Sequence, residues 1–157
     1  MKLIVVGLNH KTAPVEIRER FNFSRNRIKH ILRILKDSDE FVESVLISTC
    51  NRTELYLVSL DGEESVEELF RSIERYAGSG FRRDYFYTFT GRDCVAHLLK
   101  VASSLDSMIV GEGQILSQVK DAYHLARKAG NTSTVFNTIF NQAIATGKKV
   151  RTKTHIA

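Results

Sequence analysis

The chain has 157 residues, of which 43% are hydrophobic and 26% are charged, as in a soluble globular domain. No apolar run approaches the ~20 residues that span a bilayer, and residues 2–8 are too short for a signal segment. Two cysteines do not make a disulfide framework, so we expect a cytoplasmic protein with no membrane partner. The net charge of +5 permits a polyanionic partner without requiring one.

The first ninety residues alternate between predicted strands and helices. Residues 2–9 are typical of a strand, and Ser24 is a suitable N-cap for a helix with apolar positions every three or four residues. The remaining predicted elements are strands at about 43–48, 54–60 and 85–89 and a helix that Gly78-Ser79-Gly80 ends. The order β-α-β-β-α-β predicts an α+β fold with a ferredoxin-like antiparallel sheet and helices on one face.

Everything after Gly91 has helical periodicity. The last helix begins at the Thr132-Ser133-Thr134 cap and shows no stop signal, which suggests a chain cut inside a longer protein. We therefore predict a ferredoxin-like core over 1–90, a helical part over 91–131 and the start of a long linker helix over 132–157.

The sequence contains no motif that predicts a dinucleotide site or a metal site. Gly111-Glu112-Gly113 lacks a third glycine and does not follow a strand, and Gly78-Ser79-Gly80 follows a helix. The two cysteines and five histidines are dispersed rather than grouped at metal-ligand spacing. We expect neither a nicotinamide site nor a metal site within this chain.

Cys50 lies at a strand-to-strand corner in the run Ser48–Tyr56. A reactive cysteine needs partial exposure and a positive neighbour, and Arg52 is two residues away. A lone cysteine is equally compatible with a packed, structural thiol. Spacing alone leaves both interpretations open.

Three collinear segments change this balance: residues 7–19, which contain Gly7-Leu8-Asn9-His10-Lys11-Thr12-Ala13-Pro14, then Ser48–Tyr56, and finally Val101–Lys120. Together they resemble the N-terminal catalytic domain of glutamyl-tRNA reductase, the first enzyme of the five-carbon route to tetrapyrroles. The resemblance implies that Cys50 attacks glutamyl-tRNA to form a glutamyl thioester, which NADPH reduces to glutamate-1-semialdehyde. It also implies an NADPH site on a separate domain, a homodimer of the full-length protein, and glutamate-1-semialdehyde aminomutase as a partner.

The resemblance also implies the site residues. Cys50 and His97 match catalytic positions, with the role of His97 as a base or as an orienting group left open. The implied substrate-binding residues are Thr49, Cys50, Asn51, Arg52, Ser107, Glu112, Gly113, Gln114 and Gln118.

Each of these assignments has a plainer alternative. Arg52 is expected to hold the substrate carboxylate, but it could be a surface arginine paired with Glu54. Thr49 and Asn51 could simply cap the turn, His97 could be a half-buried packed side chain, and residues 107–118 could be an ordinary loop between helices.

Two other functions compete: a non-catalytic tRNA-binding module that uses basic helices, and a thiol acyltransferase unrelated to tRNA. The compact Thr49–Arg52 group and the two flanking motifs favour the reductase.

Overall fold

The computed structural model describes residues 1–107 and 113–154. Its elements in chain order are β1 (Lys2–Asn9), α1 (Val15–Arg20), α2 (Arg25–Asp37), β2 (Phe41–Ser48), β3 (Arg52–Ser59), α3 (Gly62–Ala77), β4 (Tyr87–Thr90), α4 (Gly91–Ala102), α5 (Gln114–Lys128) and α6 (Thr134–Thr154). Strand β4 begins two residues later than predicted because Arg83–Tyr85 form a short 3₁₀ turn before it.

The four strands form one antiparallel sheet in the order β2-β3-β1-β4. Strand β1 lies in the interior of the sheet, where Val5 is opposite Tyr56 of β3 and Phe89 of β4. This order and these directions are those of a split βαβ unit, so the predicted ferredoxin-like sheet is confirmed.

The prediction of helices on one face is only half right. On the face that carries Val6, Ile31 of α2 and Leu69 of α3 border an apolar groove, but the buried Leu32 of α2 belongs to the core cluster of the other face. The opposite face, which carries Val5 and Tyr56, is covered by α4, α5 and α6. The physical reason is visible in β1: its apolar residues are consecutive rather than alternating, and such a strand must be covered on both faces.

The main core lies between the sheet and the last three helices. The Tyr123 and Phe140 rings stack with centroids 5.6 Å apart, and Tyr56 meets Phe140 edge to face at 5.5 Å. All three side chains are at most 1% exposed. Because this core joins strands to α4–α6, the sheet and the later helices are packed together; the boundaries at residues 90 and 131 stay a prediction.

Two polar side chains, Ser24 and Glu43, cap the starts of α2 and α6. Ser24 accepts a hydrogen bond from the Arg27 backbone N–H at 3.2 Å, which confirms the predicted cap of α2. Helix α6 begins at Thr134 as expected, but its capping group comes from β2. The Glu43 carboxylate accepts hydrogen bonds from the backbone N–H groups of Ser133 and Phe136, the latter at 2.9 Å.

None of the helices in the described part of the chain is long and apolar enough to cross a membrane.

Candidate active site

Cys50 lies in the short turn between β2 and β3, and its side chain is exposed. The turn is held by its neighbour Thr49. The Thr49 backbone N–H donates to the Arg52 carbonyl at 2.7 Å, and the Thr49 hydroxyl accepts from the backbone N–H groups of Asn51 and Arg52, both at 3.1 Å. Thr49 therefore caps the turn, which is the plainer of the two roles considered for it above. This capping presents the thiol to solvent.

A small cavity of about 30 Å³ borders the Cys50 turn. Its lining consists of Ile115 and seven of the nine predicted substrate-binding residues: Thr49, Cys50, Asn51, Arg52, Ser107, Gln114 and Gln118. The tertiary structure thus brings the β2–β3 turn next to the start of α5, which is more than sixty residues away in the chain. Gly113 stands directly before α5 but outside this lining, and Glu112 lies outside the described residues.

Arg52 is not on the surface: its side chain is 2% exposed. Its Nη1 is 3.2 Å from Glu54 Oε2 and also 3.2 Å from Asp106 Oδ2. The Nη2 donates to the Asp106 backbone carbonyl. The alternative interpretation was therefore right about the Glu54 pairing and wrong about exposure. A buried guanidinium requires such partners because desolvation of an unpaired charge is very costly.

Glu54 is fully buried at the centre of a polar network. Its Oε1 accepts a hydrogen bond from the Tyr56 hydroxyl at 2.9 Å, and its Oε2 contacts Arg52, the Tyr87 hydroxyl and His97 Nε2. Burial alone would raise the pKa of Glu54, but the hydrogen bond from His97 and the charge of Arg52 outweigh it and lower the pKa. The carboxylate stays ionised and holds the Arg52 and His97 side chains in place.

His97 is 8% exposed and is packed between rings as well as bonded to Glu54. Its ring centroid lies 5.2 Å from that of Tyr87 and 5.0 Å from that of Phe89. Since ionised Glu54 can only accept, His97 Nε2 must carry the hydrogen. His97 does not line the cavity at Cys50. This geometry suits an orienting group, and its catalytic role stays a prediction.

Asp106 extends the network towards solvent. Its Oδ1 pairs with Lys11 Nζ at 3.3 Å, and its side chain is 17% exposed while that of Lys11 is 60% exposed. Burial would raise the pKa of Asp106, but the charge of Arg52 and the hydrogen bonds from Lys11 and Arg52 lower it below the usual range.

The second cysteine is a different kind of residue. Cys94 is 1% exposed in the main core, and burial, together with the negative charge of Glu54, raises its pKa to about 12. A buried thiol with this pKa is not ionised at neutral pH and is a poor nucleophile. Of the two cysteines, Cys50 is the accessible one.

Sequence reasoning missed three members of this network: Glu54 as its centre, Tyr87 and Asp106. The available signal was the strand pattern. Arg52, Glu54 and Tyr56 alternate along β3, a strand that is buried along nearly its whole length, so their polar groups had to find partners.

No group of three or more His, Cys, Asp or Glu residues in the described ranges has the arrangement of a metal site. The described residues also include no glycine-rich strand-to-helix turn of the kind that binds a dinucleotide, so they do not fit NADPH.

Comparison with known proteins finds relatives over nearly the whole chain. The sequence model described as "Glutamyl-tRNAGlu reductase, N-terminal domain" matches residues 6–154. Glutamyl-tRNA reductase of Carboxydothermus hydrogenoformans is 45% identical over 99% of this chain and 35% of its own length. That of Thermodesulfovibrio yellowstonii is 46% identical over 99% of this chain and 38% of its own length.

A solved structure shows the same fold. Glutamyl-tRNA reductase from Methanopyrus kandleri superposes with a TM-score of 0.77 at 34% identity, over 96% of this chain and 34% of that one. This chain spans about a third of the length of these relatives. The chain belongs to the family of glutamyl-tRNA reductase N-terminal domains.

Proposed function

We propose that this chain is the thioester-forming catalytic domain of a glutamyl-tRNA reductase that serves tetrapyrrole biosynthesis. The observation that carries the proposal is the exposed Cys50 thiol in the lining of a cavity that Arg52, Ser107 and Gln118 share. The proposal includes the cytoplasmic location, the homodimer of the whole protein and the aminomutase partner that the sequence resemblance implies.

In the proposed reaction the Cys50 thiolate attacks the carbonyl carbon of the ester that joins glutamate to the tRNA. The bond from that carbon to the ribose oxygen breaks, and the tRNA leaves with its hydroxyl reprotonated. The glutamyl group remains on sulfur as a thioester. Covalent catalysis of this kind divides one difficult reduction into two easier steps.

Arg52 is proposed to select glutamate by holding its side-chain carboxylate. Its guanidinium already contacts Glu54 and Asp106, and a third carboxylate beside these two would be repelled. Glu54 is fully buried, whereas Asp106 is partly exposed and has Lys11 as a second cationic partner. Asp106 is therefore the carboxylate that must give way when the substrate binds.

NADPH, when bound by the whole enzyme, supplies the hydride that reduces the acyl group to the aldehyde. Because the described residues do not fit this cofactor, we expect the chain alone to stop at the thioester or to hydrolyse it slowly.

Intact mass spectrometry of the chain after incubation with glutamyl-tRNA tests the proposal. The expected result is a thiol-labile glutamyl adduct on Cys50, absent from Cys50→Ala and retained by Cys94→Ser. An adduct that survives Cys50→Ala would overturn the assignment of the nucleophile.

Two further substrates separate the competing functions. A tRNA-binding module would bind tRNA in a salt-sensitive manner with no adduct, and Cys50→Ala would bind equally well. An unrelated acyltransferase would modify Cys50 from small activated acyl donors and ignore tRNA. Glutaminyl-tRNA should react more weakly than glutamyl-tRNA if Arg52 reads the carboxylate.

A further inference from the structure

Helices α2 and α5 enclose a groove of about 430 Å³ that is strongly basic. Five exposed cationic side chains line it: Arg25, Lys29, Arg33, Lys36 and Lys128. The lining also contains the acidic residue Asp37. The four cations of α2 are spaced four, four and three residues apart, which places them on one side of the helix over about 16 Å.

Carboxylates do not neutralise most of these cations. Within the described ranges, Arg25, Lys29, Arg33 and Lys128 form no ion pair, and Lys36 donates to the Ala129 carbonyl at 3.2 Å. The arginines of α3 behave differently, since Arg71 and Arg75 both lie within 4 Å of the Glu68 carboxylate. The groove therefore carries an uncompensated positive charge.

The positive charges at the start of α2 do not stabilise the helix. The first turn of α2 contains Arg25 and Arg27 and no acidic residue, although the positive end of a helix dipole favours acidic side chains there. Both the side chains and the helix end attract anions, so an anionic partner would relieve a repulsion that the fold leaves unbalanced.

The start of α2, whose Arg25 lines the groove, is bonded to the end of the strand that leads into the Cys50 turn. The backbone N–H of Phe23, just before the Ser24 cap of α2, donates to the Ser48 hydroxyl at 2.9 Å. Ser48 is the last residue of β2 and precedes Cys50 by two residues. From Arg25 the line of cations runs along α2 away from the thiol, to Lys36 and the end of α5.

We propose that this groove binds the phosphate backbone of the tRNA whose aminoacyl end reaches Cys50. The inference rests on the proposed function, because that function requires a polyanion with one end at the thiol. Cations that recur about every 6 Å along a helix suit an evenly charged strand, and phosphate contacts of this kind position a nucleic acid without reading its sequence.

The test compares two triple variants with the same loss of charge. One is Lys29→Gln/Arg33→Gln/Lys128→Gln in the groove; the control is Lys148→Gln/Lys149→Gln/Arg151→Gln on α6. Binding of fluorescent tRNA is followed by anisotropy from 50 to 200 mM salt. The groove variant should bind about ten- to a hundredfold more weakly and its salt slope should fall by about two to three, since each lost phosphate contact removes nearly one.

A small substrate keeps the chemistry separate from the binding. The groove variant should form the Cys50 adduct from glutamyl-adenosine at the wild-type rate, because this ester has no RNA body to contact the groove. If wild type forms no adduct from either substrate, the proposed function fails, while the anisotropy comparison still decides the groove.

Three results would overturn the inference: unchanged tRNA binding in the groove variant, an equal loss in the α6 control, or binding of polyglutamate as tight as that of tRNA. A charge-preserving variant, Lys29→Arg/Lys128→Arg, tests whether substitution at these positions disturbs the fold. It should bind tRNA as wild type does, and a loss of binding there would also count against phosphate recognition.

Discussion

The buried guanidinium of Arg52 bonds to Asp106 twice, through Nη1 to the carboxylate at 3.2 Å and through Nη2 to the backbone carbonyl. Residues 54 positions apart are thereby joined beside Cys50. Under the proposed function, in which Arg52 holds the substrate carboxylate, Asp106 would compete with the substrate for this guanidinium.

Replacing Asp106 by Asn should therefore strengthen substrate binding. The amide keeps the size of the side chain but no longer competes as an anion, and we expect the Kd for glutamyl-tRNA to fall about fivefold, equivalent to about 1 kcal/mol. Binding of glutaminyl-tRNA serves as the control and should change little. An equal gain for both substrates, or no gain at all, would show that Arg52 does not receive the carboxylate.

Replacing Glu54 by Gln should destabilise the fold strongly. The change leaves Arg52 without its fully buried counter-ion, and breaking a buried pair from one side costs about 3–5 kcal/mol. Urea unfolding measures the free energy. The matched control is Glu67→Gln, which removes a carboxylate from the exposed pair with Arg83 and should leave the unfolding free energy unchanged.

Acid should destabilise the protein through the same carboxylates. Glu54 and Asp106 both have folded-state pKa values below their ordinary values, so their stabilisation is present above about pH 4–5 and is lost as the pH falls through the folded pKa. The unfolding free energy should fall steeply from pH 5 towards pH 3. Glu54→Gln should show a shallower fall, and parallel curves for the two proteins would exclude Glu54 as a cause.

Gly7 gives the network its space, so Gly7→Ala should weaken it. A Cβ at this position would lie 2.8 Å from Glu54 Cγ and 2.8 Å from the Thr53 carbonyl oxygen, and neither can move freely. We expect a loss of about 1–3 kcal/mol in the unfolding free energy. Gly62→Ala is the control, because its Cβ would meet only the flexible Lys2 side chain, and it should be tolerated.

The two thiols should differ in their reaction with a disulfide reagent. The exposed Cys50 should react in the native protein, and Cys94 only after unfolding, because burial raises its pKa to about 12. The measurement is the thiol count with and without denaturant. Two fast thiols in the native state would mean that the core around Cys94 opens readily.

Much of this protein is determined by local sequence. Strand and helix periodicity predicted the β-α-β-β-α-β order, Ser24 predicted the start of α2, and the three motifs predicted the family. These features depend on neighbouring residues in the chain, which is why pattern and propensity suffice.

Only the tertiary structure decided what Arg52 and Glu54 contact. Both look like surface charges in the sequence, and they became buried because α4 to α6 cover the face of the sheet from which they project. Burial then forced pairing with Asp106, Tyr87 and His97 from distant segments, since an unpaired charge in the core is too costly. The sequence motif identifies Cys50, whereas long-range packing determines which side chains surround it.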